Sequence, residues 1–397
     1  MISLGPVTPK TVLVRARNIE VHLGDAEDVS IVRGETTLST TSHTLAILAA
    51  FDHPRPLAEV LDGHAAGSQD WIELTSAVQQ LVRAGILLEP GAGREGASVR
   101  GFAQPSVQIE MLDDLRRTRS FIDALRAVVR KDDAVLDIGT GTGILAVSAA
   151  LAGAARVFAV ESSEIGEAAE QVFVANGVAD RVTLIRGRST RVELPERCSV
   201  LVTETIGNDP FDEHLLDIVA DAKKRLLTPD ARLIPSAIEI FAVPVDVPRG
   251  VHERHAFTPS RLDAWRKAYG VELAPLLPIR QAAARPFIVS THELMAWPLP
   301  APPVSLGVVD LTRAFEPVFR EQIAFTLAEG VERLGIVIAF RAKLADDLFL
   351  STLPGDIEAT NHWRYGLWLS RRLAFARGES VAVAYEHTGG KTTVSVT

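Results

Sequence analysis

The residues best suited to chemistry lie around a glycine-rich loop in the first half of the chain. The apolar run Ala134–Ile138, interrupted only by Asp137, leads into this loop, and Ile144–Ala152 predicts a helix after it. The glycines of the loop are Gly139, Gly141 and Gly143. A glycine loop between a strand and a helix lets the backbone approach a ligand closely, so the sequence predicts a ligand site here.

Two carboxylates indicate which ligand the loop could hold. Glu161 stands 24 residues after Asp137, at the end of the predicted strand Val157–Val160, where a carboxylate can hold both hydroxyls of a ribose. Asp137 would repel a pyrophosphate but suits an ammonium, and Gly143 departs by one position from the dinucleotide spacing. S-adenosylmethionine carries an ammonium and a ribose but no phosphate, so it is the expected cofactor. An NAD-type Rossmann domain is the alternative.

The elements around the loop follow the pattern of an open parallel sheet. From about 106 to 236, predicted strands alternate with predicted helices, as in an α/β domain. Two further strands, Val182–Ile185 and Val200–Thr203, come later, and the second leads directly into Glu204. The remainder of the chain is rich in strand patterns, with one helical insertion at Ser260–Tyr269. Its predicted strands are Ile238–Val245, Phe287–Ser290, Gln322–Leu327, Leu334–Phe340, Ser380–Ala384 and Thr392–Val396.

Residues 1–97 predict a small domain with a winged-helix outline. Two strands are expected first, Val12–Leu23 and Val29–Leu38, with a turn at Gly24 and Asp25. Three helices are then predicted, at Leu45–Phe51 with an N-cap at Ser42, at Pro56–Leu61 and at Trp71–Ala84. The strand Ile86–Leu88 is expected to close the domain. The glycine-containing stretch Glu89–Arg100 is expected to be a linker.

Length, charge and cysteine content limit the class of protein. The 397 residues predict about three domains. The formal net charge of −9 argues against nucleic acid as the main partner, because phosphate binding needs a basic surface. The apolar stretches are too short for a membrane span or a secretory signal, so no membrane partner is expected. The single Cys198 cannot form an internal disulfide or a thiolate metal cluster, and we expect a cytoplasmic location and no metal.

The chain from about residue 106 onward resembles the protein arginine N-methyltransferase family. The resemblance rests on VLDIGTGTGILAVSAALAGAARVFAVESSEIGEAAEQVFVANGVADRVTLIRG around the glycine loop, on IEMLDDLRRT upstream and on PSAIEI downstream. It implies an α/β fold: a Rossmann-like class I methyltransferase domain at 106–236 and a β-barrel domain at 237–397. The segment Trp265–Gly270 is similar to the family's helical dimerisation arm, which implies an arm at about 249–280 and a homodimer.

The resemblance also implies which residues bind S-adenosylmethionine. Arg117 stands where the family places an arginine on the cofactor carboxylate, and Met111 matches in the same segment. The glycine loop and its two carboxylates keep the roles given above, and Ser189 is expected beside them. The carboxylate that often contacts the adenine amine in the family is replaced by Thr190.

Two glutamates form the centre of the acceptor site that the resemblance implies. Glu204 and Glu213 lie nine residues apart in TETIGNDPFDE, the counterpart of the family's paired-glutamate hairpin. Gly207, Asp209 and Pro210 permit the chain to fold back between them. Two carboxylates can clamp a planar cation such as a guanidinium and turn one of its nitrogens toward the methyl group.

A second segment completes the implied acceptor site. Asn361-His362-Trp363 stands in place of the family's Thr-His-Trp loop. His362 is the candidate partner of Asp114, and its role is either to accept a proton or to hold the site together structurally. Trp363, Asn361 and Asn208 are expected to line the substrate pocket, and Trp363 could instead be a core residue.

Several departures from the family affect the acceptor. The family's Trp-Met-Gly-Tyr is Thr205-Ile206-Gly207-Asn208 here, its tyrosine-bearing helix is missing from GASVRGFAQPSVQ, and an expected histidine is Gln108. We therefore expect a wider pocket, for which a histidine imidazole competes with an arginine guanidinium as the acceptor. The run Asn208–Phe211 resembles the Asn-Pro-Pro-aromatic motif of nucleobase amino methyltransferases, but Glu204 stands where that motif would directly follow the strand.

The N-terminal block resembles PqqD-like domains, which recognise the leader segments of ribosomally made, modified peptides. The resemblance lies in the order of elements and in TTSHTLAILAAFDHPRPLAEVL and LVRAGILLEP. Asp and Glu outnumber Lys and Arg over residues 1–95, which disfavours DNA binding. A purely structural role is the other alternative.

Together these patterns predict a homodimeric S-adenosylmethionine-dependent N-methyltransferase that acts on a peptide side chain. The N-terminal domain would bind the leader, and the two glutamates would orient an arginine or histidine nitrogen. The alternatives are a methyltransferase of a free amino acid or small metabolite, and a non-catalytic scaffold with a methyltransferase-like body.

Overall fold

Two compact units make up the chain, Met1–Gly101 and Phe102–Thr397. The computed structural model describes residues 8–16, 19–23, 28–33, 36–41, 43–64, 68–90, 104–277, 287–358 and 360–397. Each unit contains its own hydrophobic core. Among the described residues, no helix combines the length and the apolar character needed to cross a membrane.

The described part of the N-terminal unit contains three helices and two small antiparallel sheets. The helices are α1 (His43–Ala50), α2 (Leu57–His64) and α3 (Ser68–Arg83). The strands are β1 (Val12–Arg15), β2 (Glu20–Leu23), β3 (Asp28–Arg33), β4 (Thr36–Thr41), β5 (Arg55–Pro56) and β6 (Leu87–Leu88). They pair in the orders β5-β1-β6 and β2-β3-β4. Leu74, Val78 and Leu81 of α3 are buried, as their helical spacing predicts.

Two long strands were expected in this unit, and four shorter ones are found. Val12–Leu23 is divided into β1 and β2, which belong to different sheets, and Val29–Leu38 is divided into β3 and β4, which pair with each other. The predicted turn at Gly24 and Asp25, the N-cap Ser42 and the linker beyond residue 90 lie outside the described residues. The winged-helix and PqqD-like assignments remain predictions.

A five-stranded parallel sheet begins the C-terminal unit. Its strands are β7 (Ala134–Ile138), β8 (Arg156–Glu161), β9 (Val182–Arg186), β10 (Cys198–Thr203) and β11 (Leu227–Ile234), in the order β11-β10-β7-β8-β9. The helices are α4 (Pro105–Asp113), α5 (Leu115–Val128), α6 (Ile144–Leu151), α7 (Gly166–Ala175) and α8 (Leu215–Arg225). Because parallel strands end at one edge, the glycine loop, Glu161 and Glu204 come together there. The strand β11 was not predicted from the sequence, because Pro229 and Asp230 interrupt its strand pattern.

Two antiparallel sheets follow where a β-barrel was expected. The strands are β12 (Ala237–Asp246), β13 (Phe287–Val289), β14 (Val304–Asp310), β15 (Val318–Thr326), β16 (Leu334–Lys343), β17 (Phe349–Ser351), β18 (Tyr365–Leu369), β19 (Ser380–Thr388) and β20 (Lys391–Val396). The hydrogen bonds give one sheet in the order β13-β18-β16-β12-β14, with β17 on β16, and a second in the order β15-β19-β20. A short helix α11 (Thr291–Met295) follows β13.

Two helices lie in the region of the predicted arm. They are α9 (Arg249–His255) and α10 (Pro259–Tyr269), and the second matches the predicted insertion Ser260–Tyr269 within one residue. Thr258 caps the start of α10, and Gly270 ends it in the left-handed conformation. Residues 278–286 lie outside the described part of the chain, and the dimerising role of this region remains a prediction.

One hydrophobic core joins the parallel sheet to both antiparallel sheets. Val135 of β7, Ile240 of β12 and Val383 of β19 are fully buried members of the same cluster. The boundary predicted at residue 236 therefore separates two kinds of sheet within one compact unit. This shared core holds the C-terminal sheets against the edge at which the polar residues gather.

Gly335→Ala tests how closely the first antiparallel sheet is packed. An added Cβ at Gly335 would lie 2.6 Å from Leu367 Cδ1 and 2.8 Å from Val247 Cγ2. We expect a loss of about 1–3 kcal/mol in the free energy of unfolding, measured by urea denaturation. Gly250→Ala is the control, because a Cβ at this helical position meets nothing within 4 Å and should be neutral or slightly stabilising. Equal stability of the two variants would contradict the packing argument.

Candidate active site

The glycine loop can be built only from glycine at its key positions. Gly139, Gly141 and Gly143 have φ angles of 77°, 53° and 86°, in the left-handed region that other residues avoid. A Cβ on Gly143 would lie 2.6 Å from Phe173 Cε1 of α7. The loop therefore turns tightly from β7 into α6 and leaves its backbone open to a ligand.

Asp137 lies fully buried at the end of β7, directly before this loop. Thr140 Oγ1 donates a hydrogen bond of 2.6 Å to Asp137 Oδ2, whereas Asp137 Oδ1 has no hydrogen-bond partner among the described residues. Burial, reinforced by the charge of Glu161, raises the pKa of Asp137 to about 7. An unpaired buried carboxylate oxygen is stabilised by a cation, so the position suits the ammonium of S-adenosylmethionine.

Glu161 is held at the rim of the loop by two backbone amides. Gly141 donates its N–H to Glu161 Oε2 over 3.0 Å, and Ser163 donates its N–H to Glu161 Oε1 over 2.7 Å. Each carboxylate oxygen keeps capacity for a further hydrogen bond. Glu161 therefore has free acceptor positions for the two hydroxyls of a ribose, and this contact remains a prediction.

Arg117 connects the expected cofactor site to the first glutamate. Its Nη2 forms a short ion pair with Glu204 Oε2, and its Nη1 donates to the Met111 carbonyl oxygen over 2.6 Å. Arg117 and Glu204 are both buried, so the pair is shielded from water. Arg117 Nε has no partner among the described residues, and the predicted contact with a cofactor carboxylate remains a prediction. The Met111 carbonyl oxygen is the atom that contacts Arg117, and the predicted role of Met111 at the cofactor remains a prediction.

The two glutamates of the predicted pair act on each other. Burial and the negative charge of Glu204 raise the pKa of Glu213 to about 8, while the charge of Arg117 partly opposes this shift. Two acids that converge without a cation between them are expected to behave in this way. Glu204 is neutralised by Arg117, and Glu213 is the acid that holds a proton.

The segment between the glutamates, where the chain was expected to fold back, is an irregular turn without strands. A Cβ on Gly207 would lie 2.9 Å from the Asp209 carbonyl oxygen and 3.0 Å from Asp212 Cβ, so the turn closes tightly on a glycine. A Cβ on Gly139 would lie 3.0 Å from Thr205 Cγ2. This close approach places the glutamate turn directly beside the glycine loop.

His362 and Asp114 form the predicted pair. His362 Nδ1 lies 2.9 Å from Asp114 Oδ2, which also accepts the His362 backbone N–H over 3.1 Å. Asp114 Oδ1 accepts the Arg117 backbone N–H over 3.0 Å and so caps α5. Burial opposes ionisation of Asp114, but these hydrogen bonds outweigh it and lower the pKa of Asp114 below its usual value. The pair places an ionised acid behind a histidine ring.

Asn361 and Trp363 line a small cavity beside Asp114, and all three residues predicted to line the substrate pocket also form hydrogen bonds within the protein. Trp363 is buried and donates its Nε1–H to the Ile206 carbonyl oxygen over 2.8 Å. Asn361 Nδ2 donates to Thr291 Oγ1 over 2.9 Å and to the Trp363 carbonyl oxygen over 3.0 Å. Asn208 Oδ1 accepts the backbone N–H of Arg364 over 2.7 Å. The contacts of Trp363 and Asn208 tie the glutamate turn to the His362 loop.

Ser189 and Gln108 occupy two positions at the margin of the site. Ser189 is buried at the start of a short 3₁₀ helix after β9, and its carbonyl oxygen accepts a hydrogen bond from Arg225 over 2.8 Å. Gln108 of α4 lies against the glycine loop, since a Cβ on Gly141 would be 3.2 Å from Gln108 Oε1. The sequence had indicated that position 108 belongs to the site, because the family has a histidine there.

Sequence analysis treated Asp209 only as a turn residue. The structure buries it and surrounds one of its oxygens with the Tyr385 hydroxyl at 2.8 Å and the Thr392 hydroxyl at 3.1 Å. A signal exists in β19 and β20, where Tyr385, His387 and Thr392 stand at buried positions of alternating strands whose other buried positions hold valines.

Comparisons with known proteins find similarity to methyltransferases. A family model for ribosomal protein L11 methyltransferase (PrmA) matches residues 116–238. The probable protein arginine N-methyltransferase 6 of Arabidopsis thaliana is 30% identical over 208 residues, which cover 51% of this chain and 46% of the relative. Protein arginine N-methyltransferase 1 of Schizosaccharomyces pombe is 35% identical over 170 residues, covering 42% of this chain and 48% of the relative. The chain thus spans about half the length of the curated relatives that it matches.

Solved structures of the same class share the fold. The Trypanosoma brucei PRMT1 enzyme–prozyme heterotetrameric complex with AdoHcy superposes with a TM-score of 0.62 at 23% identity, covering 75% of this chain and 94% of that one. A PRMT6 crystal structure gives a TM-score of 0.56 at 19% identity, covering 74% and 98%. The resemblance to protein arginine N-methyltransferases is therefore confirmed. The fold is a Rossmann-like α/β methyltransferase domain followed by a sheet-rich domain.

Glu213→Gln is expected to remove a pH-dependent loss of stability. A glutamate in the unfolded chain titrates near pH ~4.3, whereas the pKa of Glu213 in the folded protein is about 8. Between these values the folded state binds a proton that the unfolded state has lost, so stability falls as the pH rises through this range. The free energy of unfolding, measured by urea titration at several pH values, should therefore fall less steeply with pH for Glu213→Gln than for the wild type.

The other raised acids do not obscure this comparison. Asp137 and Asp209 are present in both proteins, so their contributions cancel in the difference between the two curves. Glu329→Gln, which changes an exposed glutamate, serves as the control and should follow the wild-type curve. Parallel curves for Glu213→Gln and the wild type would contradict the buried, coupled position of Glu213.

Proposed function

We propose that the protein is an S-adenosylmethionine-dependent N-methyltransferase that acts on a peptide side-chain nitrogen. The observation that carries the proposal is the turn Glu204–Glu213, which presents two coupled acids directly beside the glycine loop. The similarity to protein arginine N-methyltransferases supports the same reaction class.

S-adenosylmethionine would lie between the glycine loop and the glutamate turn. Glu161 would hold the ribose, Asp137 would face the ammonium and Arg117 would face the carboxylate. The cofactor supplies a methyl group already activated by a positively charged sulfur. The task left to the protein is therefore to place a nitrogen lone pair in line with that methyl group, which is mainly a matter of positioning.

The paired acids would orient the acceptor through charge-assisted hydrogen bonds. Glu204 is held in an ion pair by Arg117, whereas Glu213 gives up its proton more readily once a cationic acceptor lies beside it. A planar N–H cation can then be held by both carboxylates, with one nitrogen turned toward the methyl group. His362, which lies against Asp114, would take up the proton released after transfer.

The acceptor is an arginine guanidinium or a histidine imidazole. Both are flat, carry N–H donors and can be cationic, so both suit a pair of carboxylates. Thr205 and Asn208 replace the aromatic residues of the family and leave room beside the turn. Synthetic peptides with a single arginine or a single histidine, incubated with labelled S-adenosylmethionine, distinguish the two acceptors by mass spectrometry.

The N-terminal unit would bind the leader of a ribosomally made precursor peptide. Its sheet β2-β3-β4 has β2 and β4 at its edges among the described residues, and an extended peptide can add to such an edge as a further strand. Holding a leader raises the local concentration of the modified residue at the active site.

We propose further that the helical region with α9 and α10 forms a homodimer in the cytoplasm. Tyr269 and Val271 are exposed in this region, and a second copy of the chain would cover them.

Glu204→Gln is expected to lower turnover by about 10²–10³-fold or more, because it removes a charge that acts on the acceptor. Binding of S-adenosylmethionine, measured by calorimetry, should remain. Glu196→Gln is the matched control, since Glu196 is also paired with an arginine, Arg156, but lies before β10 at the opposite end of the sheet. An active Glu204→Gln enzyme would rule out the clamp, and no binding heat in the wild type would favour a non-catalytic scaffold.

Removal of residues 1–97 should separate leader binding from catalysis. Because these residues belong to a separate compact unit, the remaining chain keeps its own core. The KM for a full-length precursor should rise, whereas the KM for a leaderless peptide should stay the same. An equal loss on both peptides would argue against a recognition role, and turnover of a free amino acid by both proteins would favour a small-molecule methyltransferase.

A further inference from the structure

Three polar side chains interrupt the buried face of the second antiparallel sheet. In β19 the inward positions are Val381, Val383, Tyr385 and His387, and in β20 they are Thr392, Val394 and Val396. Alternation along a strand that packs on a core predicts apolar residues at all of these positions. The polar ones gather where β19 runs into β20, so their placement calls for a partner within the core.

That partner is Asp209 of the glutamate turn. Asp209 Oδ1 accepts hydrogen bonds from the Tyr385 hydroxyl at 2.8 Å, the Thr392 hydroxyl at 3.1 Å and the Phe211 backbone N–H at 3.3 Å. Thr392 Oγ1 also lies 2.8 Å from His387 Nδ1. The network therefore extends from the turn to two strands of the sheet, β19 and β20.

An aromatic enclosure keeps this network dry. The Phe211 ring lies 5.3 Å from the His387 ring and 6.0 Å from Phe319, and Phe319 lies 5.7 Å from Tyr385. Asp209 Oδ2 and His387 Nε2 are buried and have no hydrogen-bond partner among the described residues. Such unpaired buried polar groups lower the free energy of unfolding, so stabilising the fold does not by itself account for this network.

The position of Asp209 points to a role in the active site. It stands four residues before Glu213, and the chain between them contains Pro210, whose ring restricts the backbone. Fixing Asp209 to the sheet therefore limits where Glu213 can lie. Burial and the charge of Asp212 raise the pKa of Asp209 to about 7, which lets the carboxyl stay neutral inside the enclosure.

We infer that Asp209, held by Tyr385 and Thr392, is a positioning residue for Glu213: it fixes the glutamate turn to the second antiparallel sheet and so sets the distance between the two acids. This inference rests on the proposed function, because it assigns the network to the clamp on the acceptor. Asp209 acts through Glu213 and touches neither the acceptor nor the cofactor.

Three variants of the full chain test the inference. Asp209→Leu removes the acceptor of the three hydrogen bonds, Asp209→Asn keeps an oxygen for them, and Tyr385→Phe removes a single donor. We expect the kcat for the methylated peptide to fall by about 10- to 100-fold in Asp209→Leu, since a displacement of about 1 Å has effects of this size. Asp209→Asn should recover most of the lost activity, and Tyr385→Phe should lie between the two.

A matched control separates positioning from stability. Asp133 is also a buried aspartate, and it accepts hydrogen bonds from Ser199 Oγ over 2.7 Å and from the Arg130 backbone N–H over 2.5 Å, but it precedes β7 at the far edge of the sheet. Asp133→Leu should lower stability and leave kcat unchanged. A similar fall in kcat for Asp133→Leu and Asp209→Leu would overturn the inference. Tyr385→Phe, which removes only one oxygen, keeps the test decisive if the leucine variants do not fold.

A spectroscopic measurement separates failure of this inference from failure of the proposed function. In protein labelled with carbon-13 at glutamate carboxyls, the Glu213 signal can be assigned by its loss in Glu213→Gln and titrated. It should titrate near 8 in the wild type and at a lower pH in Asp209→Leu, because Glu213 then moves away from Glu204. If the wild type methylates no peptide but this shift is seen, the proposed function fails and the positioning role stands. Full activity and an unchanged titration in Asp209→Leu would overturn the positioning role alone.

Discussion

Placing a buried glutamate, Glu204, and a partly buried one, Glu213, in one turn requires that their mutual repulsion be offset. The protein offsets it unequally: Arg117 forms a buried ion pair with Glu204, and Glu213 keeps its proton to a pKa of about 8. Two ionised carboxylates at this site would repel each other and destabilise the fold, whereas the observed arrangement stays nearly neutral until a cation arrives. The remaining contacts of the site serve to keep these three groups in place.

The parallel and antiparallel sheets each position a different part of the site. The parallel sheet brings Asp137, Glu161 and Glu204 to one edge, because the strands that carry or precede them all end there. The antiparallel sheets supply the loop with His362 and Trp363 and the strands that hold Asp209. Since one core runs through all of these sheets, the acceptor side and the cofactor side of the site cannot move far apart.

Sequence alone was most informative where a local pattern determines the structure. The apolar run before the glycine loop predicted β7 and the turn into α6, and the helical spacing of Leu74, Val78 and Leu81 predicted α3. The resemblance to a family then brought together Glu204 with Glu213 and His362 with Asp114. The irregular course of the glutamate turn was not predictable, because Gly207, Asp209 and Pro210 are compatible with many turn conformations.

Contacts between distant residues were beyond the reach of local patterns. Tyr385 and Thr392 lie 176 and 183 residues from Asp209, so no spacing rule connects them. Asn361 and Asn208, predicted from their polarity as pocket residues, also form hydrogen bonds with backbone groups of the protein, which no local pattern indicates. Only the folded chain shows which polar groups are already satisfied and which remain to meet a ligand.

The two backbone amides on Glu161 have a consequence for how a ribose would be recognised. Both carboxylate oxygens are fixed before any ligand arrives, so the side chain has little rotational freedom left to lose when a sugar docks. Recognition at this point is therefore preorganised. The side chain has already lost its conformational entropy during folding, so ribose binding does not have to restrict it further. More of the favourable enthalpy of the new hydrogen bonds therefore contributes to the binding free energy.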